Sequence, residues 1–256
     1  MIRVGVIGAT GRVGAEVCRA VHAAGDMELV AGISRSKAGE KASEALGLQG
    51  SDVVLAENLD SFIEGGVEVA VDFTNAEFAP EHVAWAIEHG THIVVGTTGF
   101  EVEDVWSQAP VGVFIAPNFA IGAALMQQFA AAAARYLPAV EIIELHHDEK
   151  ADAPSGTAVG TADAVAAARR EAWSGPSAES VPGVRGGERA GIRIHSIRLP
   201  GLVAHQEVVF GGQGQTLTIR HDSTDRTSFV PGVLMAIRWV LAHPGLTVGL
   251  DAILDG

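Results

Sequence analysis

The chain has 256 residues, 48% of them hydrophobic, and its 31 Asp and Glu against 17 Lys and Arg give a formal net charge of −14. This length predicts one large domain or two modest ones, and the charge argues against nucleic-acid and anionic-membrane partners. No signal-peptide pattern opens the chain, no apolar run approaches the ~18 residues that span a bilayer, and the single cysteine, Cys18, excludes an internal disulfide. We therefore expect a soluble cytoplasmic protein.

The first half of the chain alternates short apolar strands with helices, which is typical of a parallel sheet covered on both faces. Helical or irregular pieces such as 12–24 and 77–89 lie between the predicted strands, which are 2–8, 27–33, 67–73, 91–96 and 111–116. The second half opens with a helix at 120–137, a strand at 139–147 and a helix at 155–173. A Gly/Pro/Ser-rich segment, 174–191, is then expected to break regular structure.

Three further strands follow without helical crossovers, at 192–200, 202–210 and 215–222, before a helix at 228–243. Such a succession favours an antiparallel or mixed sheet. The predicted fold is therefore α/β. A Rossmann-type parallel-sheet domain covers 1–120, with 228–256 packing back onto it. A smaller α+β domain with a mixed or antiparallel sheet, for substrate binding and oligomerisation, covers 121–227.

A glycine-rich turn joins the first strand to the first helix. The stretch VGVIGATGRVG spaces Gly8, Gly11 and Gly14 as a relative of the dinucleotide fingerprint. Glycine allows a tight turn and a close approach of the backbone to a pyrophosphate, whose charge the helix N-terminus attracts. A dinucleotide site is the prediction, and a tight turn without a ligand is the alternative.

The end of the second strand bears on the choice of cofactor. An acid there accepts a hydrogen bond from the ribose 2′-hydroxyl of NAD, whereas an arginine nearby accommodates the 2′-phosphate of NADP. Here Ser34 occupies that position, and Arg35 and Lys37 follow it. The pattern favours NADPH, and the alternative is that both charges are ordinary solvated loop residues.

Small polar residues leave the carboxyl ends of three strands, in VDFTN (71–75), VGTTGF (95–100) and IAPNFAIG (115–122). Ligands of open parallel sheets lie beyond such ends, so we expect a nicotinamide crevice there, between the two halves. Asp72 is better explained as a structural cap than as a catalytic group.

The stretch ELHHDEKADAPSGTA (144–158) combines an acid/base group with positive charge and a helix start. Strand alternation sends His146 and His147 to opposite faces, and Lys150 follows. Ser155-Gly156-Thr157 opens a helix without a closing capping box, which leaves amide groups for a carboxylate. We predict a site for a dicarboxylate. A metal cluster is disfavoured by poor chelate geometry, so no metal is expected; a solvated strand end is the other alternative. Structural roles are expected for His195, His205 and His221.

These motifs resemble those of the 4-hydroxy-tetrahydrodipicolinate reductase (dihydrodipicolinate reductase) family of lysine and diaminopimelate synthesis. The resemblance runs nearly end to end, through GATGRVG, VDFT, VGTTGF, APNFAIG, ELHHDEKADAPSGTA, LVAHQEVVF, IRHDSTDRTSF and PGLTVGL. It implies reduction of 4-hydroxy-tetrahydrodipicolinate with NADPH or NADH. It also implies a homotetramer joined through the sheets of the second domain.

The resemblance further implies roles for individual residues. His146 would donate or accept a proton, Lys150 would donate one, and His147 would bind the substrate carboxylate together with Gly156 and Thr157. Ser155 and Thr98 complete the predicted substrate site. The cofactor would be bound by Gly8, Ala9, Thr10, Gly11, Arg12, Val13, Ser34, Arg35, Gly96, Thr97, Thr98, Ala116, Pro117, Asn118 and Phe119. Thr10 and Ser34 depart from the family pattern, and both bear on cofactor preference.

Two other functions stay open on the residues alone. One is another two-domain nicotinamide-dependent imino- or keto-acid dehydrogenase, which would keep the glycine turn but would not need HHDEKADAPSGT. The other is a non-catalytic NADP-binding sensor, which would bind cofactor without turnover.

Overall fold

The computed structural model describes residues 1–175 and 178–254, which form two compact units. Unit 1 combines residues 1–119 with the described residues from 226 onward, and unit 2 comprises residues 120–225 without 176 and 177. Within these ranges, no helix has both the length and the apolar composition needed to cross a membrane.

The regular elements follow one another in the order that strand–helix alternation predicts, with several short additions. The strands are β1 (Ile2–Ile7), β2 (Met27–Ile33), β3 (Val69–Asp72), β4 (His92–Val95), β5 (Gly112–Ile115), β6 (Ala139–His146), β7 (Gly187–Arg189), β8 (Ile192–Arg198), β9 (Ala204–Gly212), β10 (Gln215–Ser223) and β11 (Gly245–Val248). The helices are α1 (Gly14–Ala23), α2 (Ala42–Ala45), α3 (Asp60–Glu64), α4 (Ala79–Glu88), α5 (Ile121–Ala134), α6 (Gly156–Ala168), α7 (Val230–Val240) and α8 (Asp251–Leu254). Short 3₁₀ helices lie at Asp104–Gln108 and Arg226–Phe229.

Unit 1 is built on a parallel sheet of strand order β11-β5-β4-β3-β1-β2. Every residue of β3 and β5 is buried, because helices cover both faces of such a sheet. From α1, Val17, Cys18 and Val21 are buried in this core. Burial raises the pKa of the Cys18 thiol to about 12, so this side chain serves packing.

Unit 2 is built on a mixed sheet of order β10-β9-β6-β8-β7, in which β6 and β8 are parallel and the other pairs antiparallel. Helices α5 and α6 supply Met126, Ala130 and Ala162 to a core shared with Ile142 of β6 and Phe210 of β9. The predicted fold class, a parallel-sheet domain followed by an α+β domain with a mixed sheet, is confirmed.

Some boundaries differ from the sequence predictions. Of the segment 174–191, residues 176 and 177 lie outside the described residues, and the expectation of irregular structure was wrong for β7. This strand is polar and exposed, and it forms because a two-residue hairpin turn at Ala190 (φ 51°) and Gly191 (φ 74°) folds it back onto β8. The edge strand β11 was not predicted, and α6 ends at Ala168, before residue 173.

Candidate active site

The first β–α turn of unit 1 has the backbone geometry of a dinucleotide-binding turn. Gly8 has φ +79°, a conformation that side chains disfavour, and the amides of Gly8 and Ala9 donate to the Ile33 carbonyl at 3.1 and 2.9 Å. The Gly11 amide donates to the Gly8 carbonyl at 2.8 Å, and a Cβ at Gly14 would collide with that same carbonyl. The glycines therefore bring the start of α1 against the end of β1, where a phosphate can approach.

A cavity of about 410 Å³ opens beside this turn. Ser34, 4% exposed, lies on its wall with its hydroxyl 2.6 Å from that of Thr10. The Arg35 guanidinium lies over the Phe78 ring, 5.2 Å from its centroid. The structure thus groups Gly8, Thr10, Ser34 and Arg35 around one space. Thr74 and Asn75 on its wall belong to the predicted crevice loop 71–75, whereas sequence reasoning missed Ile7, Ile33, Ser36, Glu57, Phe78 and His82.

The carboxylate of Asp72 ties together the loops that follow β3 and β4. It is fully buried and accepts hydrogen bonds from the Thr74 amide and hydroxyl, both at 2.8 Å, and from the Thr97 hydroxyl at 2.9 Å. His82 of α4 adds a short contact through Nδ1. A buried carboxylate needs such partners, so Asp72 holds both loops in place, which agrees with the structural role expected for it.

The remaining predicted cofactor residues lie at the carboxyl ends of β4 and β5 or in the first turn. Gly96 packs under the Phe73 ring, where a Cβ would not fit, and Phe119 meets Phe73 edge-on at 5.8 Å. Thr97, Ala116 and Phe119 are buried, whereas Thr98, Pro117 and Arg12 are exposed. Val13 and Asn118 are half-buried.

In unit 2, His146 ends β6 with its ring held by a buried glutamate. Its Nδ1 lies 2.5 Å from Oε2 of Glu144, which is 0% exposed and two residues earlier on the same face of the strand. Arg198 of the parallel neighbour β8 donates to both Glu144 oxygens, at 2.8 and 2.9 Å. The glutamate thus fixes the orientation of the imidazole and leaves Nε2 as its other polar atom.

Glu144 is ionised over the whole physiological range. Burial acts to raise the pKa of its carboxyl, but hydrogen bonds from His146, Arg198 and Ser196 outweigh burial and lower the pKa from 4.5 to about 2. Glu144 and Arg198 were missed from the sequence. The two-residue spacing from His146 could have indicated Glu144, whereas Arg198 is paired through strand register alone.

Lys150 lies on the turn after β6 and pairs with Asp152. Its Nζ donates to both carboxylate oxygens, at 2.7 and 2.9 Å, and this hydrogen bond lowers the pKa of the Asp152 carboxyl. The backbone carbonyl of Asp152 accepts from Arg198 at 2.6 Å. Asp152 therefore connects Lys150, through its carboxylate, to Arg198, through its backbone carbonyl, and Arg198 in turn binds Glu144.

Helix α6 begins beside this turn and is capped by Ser155. The buried hydroxyl of Ser155 accepts from the Ala158 amide at 3.2 Å, so its side chain is engaged in capping. At Gly156, a Cβ would meet no atom within 4 Å, so the backbone of the first helical residue faces open space. Thr157 and His147 are both half-buried.

Three polar side chains, of which Thr161 and Gln206 are buried and Gln127 is half-buried, hold the first turn of α6. The Thr161 hydroxyl donates to the Thr157 carbonyl at 2.8 Å and accepts from Gln206 of β9, also at 2.8 Å. Gln127 of α5 donates to both Thr161 and the Thr157 carbonyl, at 3.2 Å. Within residues 1–175 and 178–254, no three His, Cys, Asp or Glu side chains are grouped to hold a metal ion.

Comparisons with known proteins identify the family of the chain. The family model "Dihydrodipicolinate reductase, N-terminus" matches residues 2–119, and "Dihydrodipicolinate reductase, C-terminus" matches residues 122–254. Relatives named 4-hydroxy-tetrahydrodipicolinate reductase include proteins of Nocardia farcinica (51% identical over 265 residues) and Mycolicibacterium smegmatis (49% over 263). In both alignments, 99% of this chain and 99% of the relative are covered.

Two solved structures resemble the chain to different degrees. A dipicolinate-bound dihydrodipicolinate reductase from Paenisporosarcina sp. TG-14 superposes with a TM-score of 0.86 at 42% identity, covering 99% of both chains. An amine dehydrogenase from Mycobacterium smegmatis, at 15% identity and a TM-score of 0.67 over 98% of this chain and 95% of that one, shares only the fold. The matched family models span nearly the whole sequence, and the chain belongs to the dihydrodipicolinate reductase family.

Proposed function

We propose that the chain reduces 4-hydroxy-tetrahydrodipicolinate to tetrahydrodipicolinate with NAD(P)H, in the synthesis of diaminopimelate and lysine. The observation that carries the proposal is the histidine of β6, anchored by a buried glutamate beside a helix start that faces open space. Family membership supports the reaction, and the glycine turn with its adjoining cavity supports a nicotinamide cofactor. The residues present fit that cofactor because only glycine permits the approach of β1 to α1.

When bound, the nicotinamide would supply a hydride to C4 of the substrate ring, from which the 4-hydroxyl group leaves as water, so the net reaction consumes NAD(P)H and one proton and releases NAD(P)+ and water. His146 is the proton donor that completes the reduction. Glu144 accepts a hydrogen bond from Nδ1, so Nε2 is the nitrogen that donates the proton to the substrate. The Glu144–Arg198 pair holds the imidazole ring in place. Such proton transfer typically contributes ~10²- to 10⁴-fold to the rate.

The substrate carboxylates are bound at the first turn of α6. Gly156 and Thr157 offer backbone amides where the helix dipole is positive, and His147 and Lys150 add polar and positive groups. Ser155 shapes this turn by capping it, and Gln127, Thr161 and Gln206 keep the turn from shifting. Lys150 also stabilises negative charge that develops on the ring.

The open space at Gly156 leads to a prediction. Gly156→Ala should fold normally, since its Cβ meets no atom of the chain and alanine is the better helix former, but the methyl group will occupy carboxylate space. We expect the KM for the substrate to rise about tenfold, equivalent to roughly 1.4 kcal/mol, with unchanged NADPH affinity. Steady-state kinetics measure this. Gly25→Ala, which also meets no atom, is the matched control, and an unchanged KM in Gly156→Ala would remove the carboxylate from this turn.

Preference for NADPH forms part of the proposal. Arg35 lies on the cavity wall, and Ser34 places no acid at the end of β2. Arg35→Asp should therefore lower the NADPH/NADH ratio of kcat/KM at least about tenfold, because a phosphate partner becomes a repelling charge. Lys37→Asp is the control, since Lys37 pairs with Glu40 away from the cavity wall. An equal shift in both variants would mean that net charge alone is responsible.

A homotetramer is also proposed. Helices α5 and α6 cover one face of the unit 2 sheet, and the opposite face presents the half-buried side chains Ile143, Leu145, Ile197 and Val209. This face suits packing against a second copy. The mass of the protein by light scattering tests assembly. A cytoplasmic location belongs to the same proposal and is tested by cell fractionation.

The decisive assay measures NADPH oxidation with freshly prepared 4-hydroxy-tetrahydrodipicolinate. Other imino and keto acids are the controls for a related dehydrogenase. Turnover with the hydroxylated tetrahydropyridine alone supports the proposed reaction. Cofactor binding without turnover on any of these substrates would instead indicate a sensor.

A further inference from the structure

The cavity of unit 1 carries a carboxylate that does not come from the end of β2. Glu57 directly follows an isolated parallel bridge between Ile33 and Ala56. The Ala56 amide donates to the Gly32 carbonyl at 2.8 Å, and the Ser34 amide donates to the Ala56 carbonyl at 2.9 Å. These two bonds bring the residue after Ala56 alongside Ser34, and Glu57 lines the same cavity.

Arg35 and Glu57 place opposite charges around one space. The Arg35 guanidinium lies over the Phe78 ring, and neither it nor the Glu57 carboxylate forms an ion pair with any residue in the described part of the chain. Both side chains are therefore available to a ligand. A carboxylate on this wall favours the 2′-hydroxyl of an adenosine ribose and repels a 2′-phosphate, whereas a guanidinium on the same wall attracts the 2′-phosphate.

We propose that Glu57 is a specificity-determining residue that supplies the ribose-binding carboxylate absent from position 34. It accepts a hydrogen bond from the adenosine ribose 2′-hydroxyl of NADH and repels the 2′-phosphate of NADPH, while Arg35 does the reverse. The inference rests on the proposed nicotinamide cofactor and extends it: the cavity accepts both coenzymes, and the balance of two side chains sets their ratio.

The test is direct binding of each coenzyme to the full-length protein, followed by nucleotide fluorescence. Glu57→Gln should raise the Kd for NADH about three- to tenfold, because a charge-assisted hydrogen bond at an exposed site is lost. The same change should lower the Kd for NADPH about threefold, because a repelling charge is removed. Glu57→Lys should raise the Kd for NADH further and lower the Kd for NADPH further than Glu57→Gln does. Glu64→Gln removes the same charge from α3, outside the cavity, and should leave both constants unchanged.

Binding constants separate this inference from the proposed reaction. If both coenzymes bind the unmodified protein and Glu57→Gln leaves their Kd ratio unchanged, Glu57 has no part in selection, although the cofactor assignment stands. If neither coenzyme binds the unmodified protein, the cofactor assignment and this inference fail together. Glu57 is exposed, so the variants should keep the thermal unfolding midpoint of the parent, which circular dichroism checks.

Discussion

Replacing His146 with glutamine should lower kcat by about 10²- to 10⁴-fold while leaving NADPH binding intact. The side-chain amide of glutamine can still donate to Glu144, so the buried carboxylate keeps a hydrogen-bond partner and the end of β6 should keep its conformation. It has no group that delivers a proton near neutral pH, and the reduction is left without its donor. Steady-state rates give kcat, and a fluorescence titration gives the Kd for NADPH.

The control for this substitution is His22→Gln, which changes an exposed histidine of α1 whose ring contacts the Gln49 carbonyl. Its kcat should equal that of the parent. If kcat also survives His146→Gln, then His146 is not the proton donor. A loss of NADPH affinity in parallel with kcat would indicate a general structural defect instead.

Replacing Arg198 with methionine should lower the free energy of unfolding by about 3–5 kcal/mol, because the buried Glu144 carboxylate loses both of its guanidinium hydrogen bonds. Urea denaturation followed by circular dichroism measures this. The double variant Glu144→Leu/Arg198→Met should recover most of the loss, since apolar groups replace the whole pair. A loss within ~0.5 kcal/mol in the single variant, as is usual for surface positions, would show that Arg198 does not compensate the buried charge.

The same pair makes stability depend on acid pH. The pKa of Glu144 is about 2 in the folded protein and 4.5 for an ordinary glutamate, so its ionised form is favoured by folding. Its stabilising contribution is therefore complete above pH 4.5 and is lost as the pH falls through this range toward 2. In Glu144→Gln, this part of the acid dependence should be missing. Equal losses of stability in both proteins between pH 5 and pH 3 would contradict the assignment.

The fold was largely predictable because the strands of its first sheet are apolar and the helices α1, α4 and α7 are amphipathic. The apolar runs at β1 to β5, which alternate with helices, indicated a parallel sheet. The absence of helices between β8 and β10 indicated antiparallel pairing. The elements that were missed, such as β7, β11 and α2, are short. Their residues carry no periodic signal, and they form because a partner strand or loop is already in place.

The candidate site was predictable where its residues are close in sequence. Gly8, Gly11 and Gly14 share one turn, and the stretch from His146 to Thr157 forms one strand end and one helix start. Arg198 reaches Glu144 from 54 residues away through parallel register, which no local pattern reveals. Glu57 enters the cavity through a single bridge, which leaves no recognisable signature in the sequence.

Unit 1 contains residues from both before and after unit 2, and this has a consequence for the folding of the protein during its synthesis on the ribosome. Unit 2 is a continuous segment, whereas β5 gains its outer neighbour, β11, only when residues 245–248 have left the ribosome. Domains generally fold as they emerge from the ribosome. During synthesis of unit 2, the edge of β5 that later pairs with β11 is therefore unpaired. The parallel sheet that contains β1 is therefore complete only after β11 has been synthesised.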